Sequence, residues 1–334
     1  MRLSVKVLLD SAVDAFHVGL AQRPNRRKDM AEAAKGLRMP SLSASERASL
    51  TRIAEHRERA LSLARRGDLD EAVMAMNAAR ILMSLTRFSA TVEPAVQSAH
   101  YAAVSYLSYR QGDYARARAE MVNALGETNR MSGDNTTLSA RRVHLVHNIM
   151  KVDAASGSPT DTLKMGFRIL RYLAMGPTEW PSDFGPGPQT KPNPLIAEYQ
   201  SDKIVETMAG AVESLPEGEY APYCVETKRL SSWKQPPSPR AWSWLSLKRW
   251  QFEGQAQRFL SAAASFLSAG PGATPKLWYA VALDIVVSYR EYEPERAGRA
   301  TETMVSAIVN SPTAPSEVRT RLATCYGAPD SLDR

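Results

Sequence analysis

Apolar residues recur every three or four positions along most of the chain, a spacing that predicts amphipathic helices rather than strands. Residues 101–128 show the pattern most clearly. Their second half places Ala117, Met121 and Ala124 at spacings of four and three, which gives one apolar helical face. Between the two halves, Gly112 can adopt the left-handed conformation that ends a helix, and Asp113 can cap the next helix. This stretch therefore predicts a hairpin of two antiparallel helices.

The same pattern returns at intervals of 45 residues. Gly67 precedes Gly112, and Gly157 follows it, at this distance. Three turns at one spacing predict a repeated helical hairpin. The apolar positions after each glycine correspond as well: Ala72, Met76 and Ala79 in the first copy match Ala117, Met121 and Ala124 in the second and Thr162, Gly166 and Ile169 in the third.

The hairpin at residues 101–128 resembles a tetratricopeptide repeat. Tyr101 stands at the large aromatic position of that repeat's first helix, and Ser105 at the small position where its helices cross. Ser108 and Met121 replace two aromatic residues, and the 45-residue period is longer than the family's period of about 34. The resemblance implies an all-α fold of stacked antiparallel helical hairpins (a TPR-like α-solenoid) with a long Pro-rich irregular insert. The positions that match the family's turn and second helix are Gly112, Asp113, Tyr114, Ala117, Ala124 and Leu125.

Capping signals and proline content divide the chain into four regions. Residues 1–42 predict a basic helical region, with a helix at 3–20 and a short one at 29–38. Ser43 and Glu46 have the spacing of a capping box, and residues 43–175 hold the predicted hairpins. Residues 176–240 predict an irregular insert with one helix, at 195–215, and a further short element at 225–233, because 11 of the 21 prolines fall there. Residues 241–334 predict C-terminal helical hairpins and a capping helix at 316–326.

The positive charge is concentrated at the amino-terminal end. The net charge is +7, and residues 1–66 contain 14 Lys and Arg against 7 Asp and Glu. A basic turn of Arg23, Arg26, Arg27 and Lys28 could contact phosphates, although no aromatic residue stands nearby for base stacking. This turn supports the hypothesis of a nucleic-acid-associated protein.

Composition favours a globular protein of a reducing compartment. Cys224 and Cys325 are the only cysteines, and neither has a partner at a metal-ligand or redox spacing. There is no run of eighteen apolar residues and no uninterrupted signal-peptide core, so we expect no transmembrane segment and a cytoplasmic location.

The sequence predicts no catalytic residue, metal or cofactor. Nucleotide-binding loops and the common hydrolase motifs are absent. His144 and His147 are three apart and could share a metal, but no second pair stands at a complementary spacing. Trp242, Trp244 and Trp250 follow the proline-rich insert, which leaves open an all-helical enzyme with its site between the insert and these tryptophans.

The family resemblance implies a groove lined by the first helix of each hairpin. In such a groove, basic and aromatic side chains would suit an acidic peptide or a C-terminal carboxylate. Our first hypothesis is therefore a non-enzymatic scaffold or adaptor that binds a protein or peptide; a long amino-terminal helix filling the groove remains an alternative. The positions carried over from the family are Arg57, Arg65, Tyr106, Tyr109, Arg110, His144, His147 and Lys151.

Overall fold

The computed structural model describes residues 4–22, 42–131, 136–231, 235–312 and 314–326. Within these residues the chain is all-helical and contains no strand. The fourteen α-helices of the described residues are α1 (Val5–Leu20), α2 (Ala44–Arg66), α3 (Leu69–Leu85), α4 (Glu93–Arg110), α5 (Tyr114–Arg130), α6 (Thr136–Ala155), α7 (Pro159–Met175), α8 (Pro194–Glu213), α9 (Tyr220–Ser231), α10 (Pro239–Phe252), α11 (Ala256–Ser268), α12 (Pro275–Tyr292), α13 (Pro294–Asn310) and α14 (Ser316–Tyr326).

The helices belong to two compact units, which we describe separately. The central unit runs from α2 to Gln200 in the first half of α8. The terminal unit contains α1 together with the chain from Ser201 onward. In the central unit, α2 packs against α3, α4 against α5, and α6 against α7, while α2 also contacts α4 and α5 contacts α6.

The three glycine turns predicted in the central unit have one geometry. Gly67, Gly112 and Gly157 have φ angles of 95°, 79° and 83°, in the left-handed region that favours glycine. In each turn the amide after the glycine donates to the carbonyl five residues earlier, at 3.1, 3.0 and 3.1 Å. This bond satisfies a carbonyl at the end of the first helix while the chain reverses into the second. The predicted tight turns are therefore confirmed.

The corresponding positions after each turn are buried. Ala72, Ala117 and Thr162 have no exposed surface. In the second hairpin, Ser105 Oγ donates a hydrogen bond of 2.6 Å to the carbonyl of Ala117, which brings α4 and α5 close together. Small residues at this crossing explain the close helix packing.

The capping box that begins α2 also holds a distant loop. The Glu46 amide donates to Ser43 Oγ at 3.2 Å, and the Ser43 amide donates to Glu46 Oε2 at 3.0 Å. The second carboxylate oxygen accepts from the Ser89 amide at 2.9 Å. These bonds, those to Ser89 first, lower the pKa of Glu46 to about 2.

The irregular segment after α7 is fastened to the central unit. It contains two 3₁₀ turns, Pro177–Glu179 and Ser182–Phe184. The side chains of Trp180 and Phe184 are buried, and Asn129 Nδ2 donates to the Phe184 carbonyl at 2.8 Å. The long loop expected here thus has specific side-chain contacts.

The proline-rich insert contains two α-helices, α8 and α9, where the sequence predicted one and a short element. The expected element at 225–233 begins earlier, at Tyr220. Pro222 lies in the first turn of α9, where its missing amide proton costs no intrahelical hydrogen bond. The sequence analysis treated Pro222 as a helix breaker, so the predicted start of this element at residue 225 was wrong.

In the terminal unit, α1 packs against α11, α12 and α13. The Phe16 ring stacks on Trp278 with centroids 4.8 Å apart. Gly254, with φ 66°, forms a turn between α10 and α11 in which the Gln255 amide donates to the Trp250 carbonyl at 2.8 Å. The geometry of this turn matches that of the three turns of the central unit.

Candidate partner-binding face

Residues 45 positions apart meet on the first helices of neighbouring hairpins. Arg110 on α4 donates from Nη1 to the Arg65 carbonyl on α2 and to Tyr106 Oη, both at 3.4 Å. The Arg65 guanidinium lies 6.0 Å from the centroid of the Tyr106 ring. Arg65 and Arg110 are exposed, Tyr106 is half-buried, and neither arginine pairs with a carboxylate among the described residues. Three of the predicted groove residues therefore form one accessible cluster.

Tyr109 does not join this cluster directly. Its ring lies 5.7 Å from the ring of Tyr114, at the start of α5. Tyr109 thus packs beside the Gly112 turn.

The predicted groove residues of α6 separate into an accessible pair and a buried histidine. His144 Nε2 lies 3.3 Å from Asn148 Nδ2, and Lys151 Nζ donates to Asn148 Oδ1 at 3.5 Å. His147 is buried, with 6% of its surface exposed. The described residues contain no group of three or more potential metal ligands.

Arg57, the remaining groove residue, faces the buried interface of α2 with α4. Ile53 on α2 packs with Val96 on α4, and Ala60 on α2 packs with Ala103 on α4. Arg57 lies between the two α2 contacts and is half-buried. Burial lowers the pKa of its guanidinium, and Glu58 partly opposes this effect.

Sequence reasoning missed two buried residues with basic side chains, His100 and Arg141. His100 lies on α4, in the apolar series formed by Val96, Ala103 and Leu107, and is 6% exposed. Burial first, and then Arg57 and Arg80, lower its pKa. Arg141 on α6 is 8% exposed, and burial followed by Arg57 lowers its pKa to about 10.

A signal for both residues was present in the sequence. Each occupies a position in a 3–4 apolar series that otherwise holds core side chains. For Arg141 the series is Leu138, Leu145, Ile149 and Val152, all of them buried.

His100 also lines a cavity of about 480 Å³ between α3, α4 and α5. Apolar side chains such as Met76 and Val104 share the lining with Arg80, Arg116 and Glu120. Arg116 Nε lies 3.8 Å from Glu120 Oε1. The cavity thus presents positive charge from Arg80 that no described carboxylate pairs with.

The proposed alternative sites fall elsewhere. The basic turn of Arg23, Arg26, Arg27 and Lys28, like the helix predicted at 29–38, lies outside the described residues. The amino-terminal helix α1 belongs to the terminal unit and packs there against α11, and is therefore not an element of the central unit.

The region suggested for an enzyme site contains a second cavity, of about 650 Å³, in the terminal unit. Pro236, Pro239, Trp242, Trp250 and Phe266 contribute to its lining. Among the described lining residues, the charged side chain is that of Arg240, which donates to the Gly270 carbonyl at 2.6 Å and to Thr274 Oγ1 at 2.7 Å.

Two tryptophans from the same part of the chain are core residues. Trp244 and Trp278 are completely buried. This location agrees with packing rather than with an exposed aromatic surface.

Among the described residues, no helix is both long and apolar enough to cross a membrane. Comparison of the chain with protein-family models, with curated proteins and with solved structures gives no match in any of the three.

Proposed function

We propose that the protein is a non-enzymatic helical-repeat scaffold whose central unit binds an acidic segment of a partner protein. The observation that carries the proposal is the cluster of Arg65, Tyr106 and Arg110 on two consecutive hairpins. It combines accessible guanidinium groups with an aromatic ring, a combination that suits carboxylate-bearing peptides.

The repeat spacing extends this cluster into rows along the first helices. The row through Arg65 and Arg110 lies next to the row of Leu61, Tyr106 and Lys151. A third row contains Arg57 and His147. His147 is buried and Arg57 is half-buried, so the accessible charges of these rows are those of Arg65, Arg110 and Lys151. Since the rows contain no acidic residue, an acidic peptide would meet attraction along the first two of them.

The test is direct binding of a fluorescent oligoglutamate peptide to the full chain, measured by fluorescence anisotropy. We expect binding that weakens as salt is added, because exposed charges are screened. Arg65→Glu and Arg110→Glu should each weaken it by about tenfold, which corresponds to roughly 1.4 kcal/mol.

A matched control is Arg59→Glu, which changes the charge of the chain by the same amount at an exposed position elsewhere on α2. This variant should bind nearly as well as the original chain. Equal losses in all three variants would show that only net charge matters, and unchanged binding in Arg65→Glu and Arg110→Glu would refute the assigned face.

A further inference from the structure

The cavity of about 650 Å³ in the terminal unit lies between one face of α10 and one face of α11, which pack against each other. Its lining residues recur every three or four positions on both helices, so each helix contributes a single face. On α11 most of these positions hold small side chains, which leave space beside the tryptophans of α10. The cavity is lined by Trp242, Ser246 and Trp250 of α10 and by Ala262, Ser265 and Phe266 of α11.

The volume and the lining of this cavity are typical of small-molecule sites. Such sites enclose about 300–1,000 Å³, are mostly apolar and contain a few polar groups that orient the ligand. Here the apolar part consists of tryptophan, phenylalanine, leucine, proline and alanine side chains, and the polar part consists of serine hydroxyls and Arg240. The hydroxyls of Ser246 and Ser265 form no hydrogen bond with a described residue, so both can bind a ligand.

Arg240 is the charged residue among the described lining residues, and several contacts hold its guanidinium in place. Nη2 donates to the Gly270 carbonyl at 2.6 Å, and Nε donates to Thr274 Oγ1 at 2.7 Å. The guanidinium carbon lies 4.3 Å from the centroid of the Phe266 ring, which also lines the cavity. The remaining nitrogen, Nη1, has no hydrogen-bond partner among the described residues. The side chain is therefore fixed and still has donors for a ligand.

The charge of Arg240 forms no ion pair with a described carboxylate. Burial lowers the pKa of its guanidinium, and Asp202 partly opposes this effect. Asp202 is itself buried, accepts a hydrogen bond of 2.5 Å from Ser238 Oγ and is not a lining residue. The wall of the cavity therefore carries one positive charge.

We propose that this cavity binds one small apolar carboxylic acid in its anionic form. The carboxylate accepts hydrogen bonds from Arg240 Nη1 and from the serine hydroxyls of the lining, and the apolar body packs against the rings of Trp242, Trp250 and Phe266. A phosphate monoester fits less well, because it carries a charge of about −1.5 to −2 at neutral pH and the described lining contains a single cation.

This site goes beyond the peptide-binding face proposed above, and the two proposals fail independently. The cavity belongs to the terminal unit, whereas Arg65, Tyr106 and Arg110 belong to the central unit. Loss of oligoglutamate binding would leave the cavity unchanged, and absence of a ligand from the cavity would leave the exposed cluster unchanged.

The experiment measures the binding of octanoate and of phenylacetate to the full chain by isothermal titration calorimetry, with octanol and phenylethanol as uncharged counterparts. We expect one saturable site for at least one of the acids. Its alcohol should bind about tenfold more weakly, because it cannot form the charge-assisted hydrogen bond. Octanoate should also change the intrinsic fluorescence, since Trp242 and Trp250 line the cavity. Comparison of the two acids distinguishes an aliphatic from an aromatic body.

Arg240→Met tests the contact with the carboxylate, and Arg258→Met is its control. Arg258 is exposed on α11 and does not line the cavity, so its substitution changes the net charge by the same amount elsewhere. Arg240→Met should weaken binding of the acid about tenfold and leave binding of the alcohol nearly unchanged. Arg258→Met should bind both like the original chain. Equal affinity of the two variants for the acid, or equal affinity of the original chain for acid and alcohol, would refute the carboxylate contact.

A second pair of variants leaves Arg240 intact and decides the question if Arg240→Met does not fold. Ala262→Leu fills the cavity, and Ala264→Leu is its control. Both alanines are half-buried on α11, but only Ala262 lines the cavity. Ala262→Leu should abolish binding of acid and alcohol alike, because its side chain takes the space of the ligand. Ser265→Leu, at an exposed lining position, should weaken binding in the same way, whereas Ala264→Leu should bind like the original chain.

Three results would overturn the proposal as a whole. The first is the absence of saturable binding of either acid to the original chain. The second is equal binding in Ala262→Leu and Ala264→Leu, because the site would then lie elsewhere. The third is binding that occurs in Trp233→Ala but not in the original chain. Trp233 lies outside the described residues, in the sequence between two lining residues, and such a result would make it the occupant of the cavity.

Discussion

Replacing Gly112 by alanine tests the geometry on which the hairpin assignment depends. The φ angle of this residue is 79°, and a Cβ atom added there would have no atom within 4 Å. The substitution therefore introduces no clash, and its cost is that of a left-handed backbone carrying a side chain. That cost is about 1–2 kcal/mol per residue.

The same reasoning applies to Gly67 and Gly157, whose φ angles are 95° and 83° and whose Cβ positions are equally open. Each alanine variant should lose a similar free energy of unfolding. Gly126 provides a control of opposite sign, because it lies inside α5, has no positive φ, and also has no atom within 4 Å of a Cβ. Gly126→Ala should stabilise the protein by about 0.5–1 kcal/mol, since alanine is the better helix former.

Thermal and urea unfolding of the four variants give the comparison. For a unit of this size, each 1 kcal/mol corresponds to a shift of roughly 2–4 °C in the unfolding temperature. If Gly112→Ala is as stable as Gly126→Ala, the positive φ is not required and the shared turn geometry has no energetic basis. A loss above about 3 kcal/mol would equally contradict the argument, because strain of the left-handed backbone alone does not reach it.

Three further predictions concern packing and charge. A Cβ atom on Gly19 would lie 2.0 Å from the Leu267 carbonyl oxygen. Gly19→Ala should therefore destabilise the terminal unit far more than Gly254→Ala, a turn variant in the same unit whose Cβ would meet no atom within 4 Å. Urea unfolding of the two variants measures the difference. Lys248 Nζ lies 2.5 Å from Asp284 Oδ2, and both side chains are at least 95% buried. Lys248→Met should therefore lower the free energy of unfolding by about 3–5 kcal/mol, because it leaves the carboxylate buried without its partner. The double variant Lys248→Met, Asp284→Leu should recover most of this loss. If the double variant is no more stable than the single one, the cost does not come from the uncompensated carboxylate. Burial, Arg57 and Arg80 lower the pKa of His100 in the folded state below its ordinary value of 6.5. The unfolded state therefore binds more protons than the folded state when the pH falls below that value. The free energy of unfolding should accordingly decrease as the pH drops through the region of the ordinary pKa. His100→Gln should flatten this part of the stability–pH curve, and an unchanged slope would assign it to other groups.

Local chemistry explains why much of the fold could be predicted. The capping box of Ser43 and Glu46 and the turn at Gly112 and Asp113 depend on residues within a few positions of one another. Helical periodicity adds the buried face of each element. The observed helices therefore begin and end close to the expected positions wherever such signals occur.

The unpredicted features depend on contacts between residues far apart in the chain. Phe16 on α1 stacks on Trp278, and Glu46 accepts a hydrogen bond from Ser89 in a different loop. Periodicity gives the apolar face of a helix but not the element that covers it.

Periodicity likewise did not predict which buried charges have a partner. The structure shows one buried cation that is paired with a carboxylate and one that is not. Lys248 in the apolar core of the terminal unit has Asp284 at 2.5 Å, so its burial is compensated within the protein. Arg141 in the central unit occupies an equally apolar helical position, but among the described residues it has no such partner. The burial of Arg141 is therefore not compensated by a carboxylate within this part of the chain, and the burial of Lys248 is.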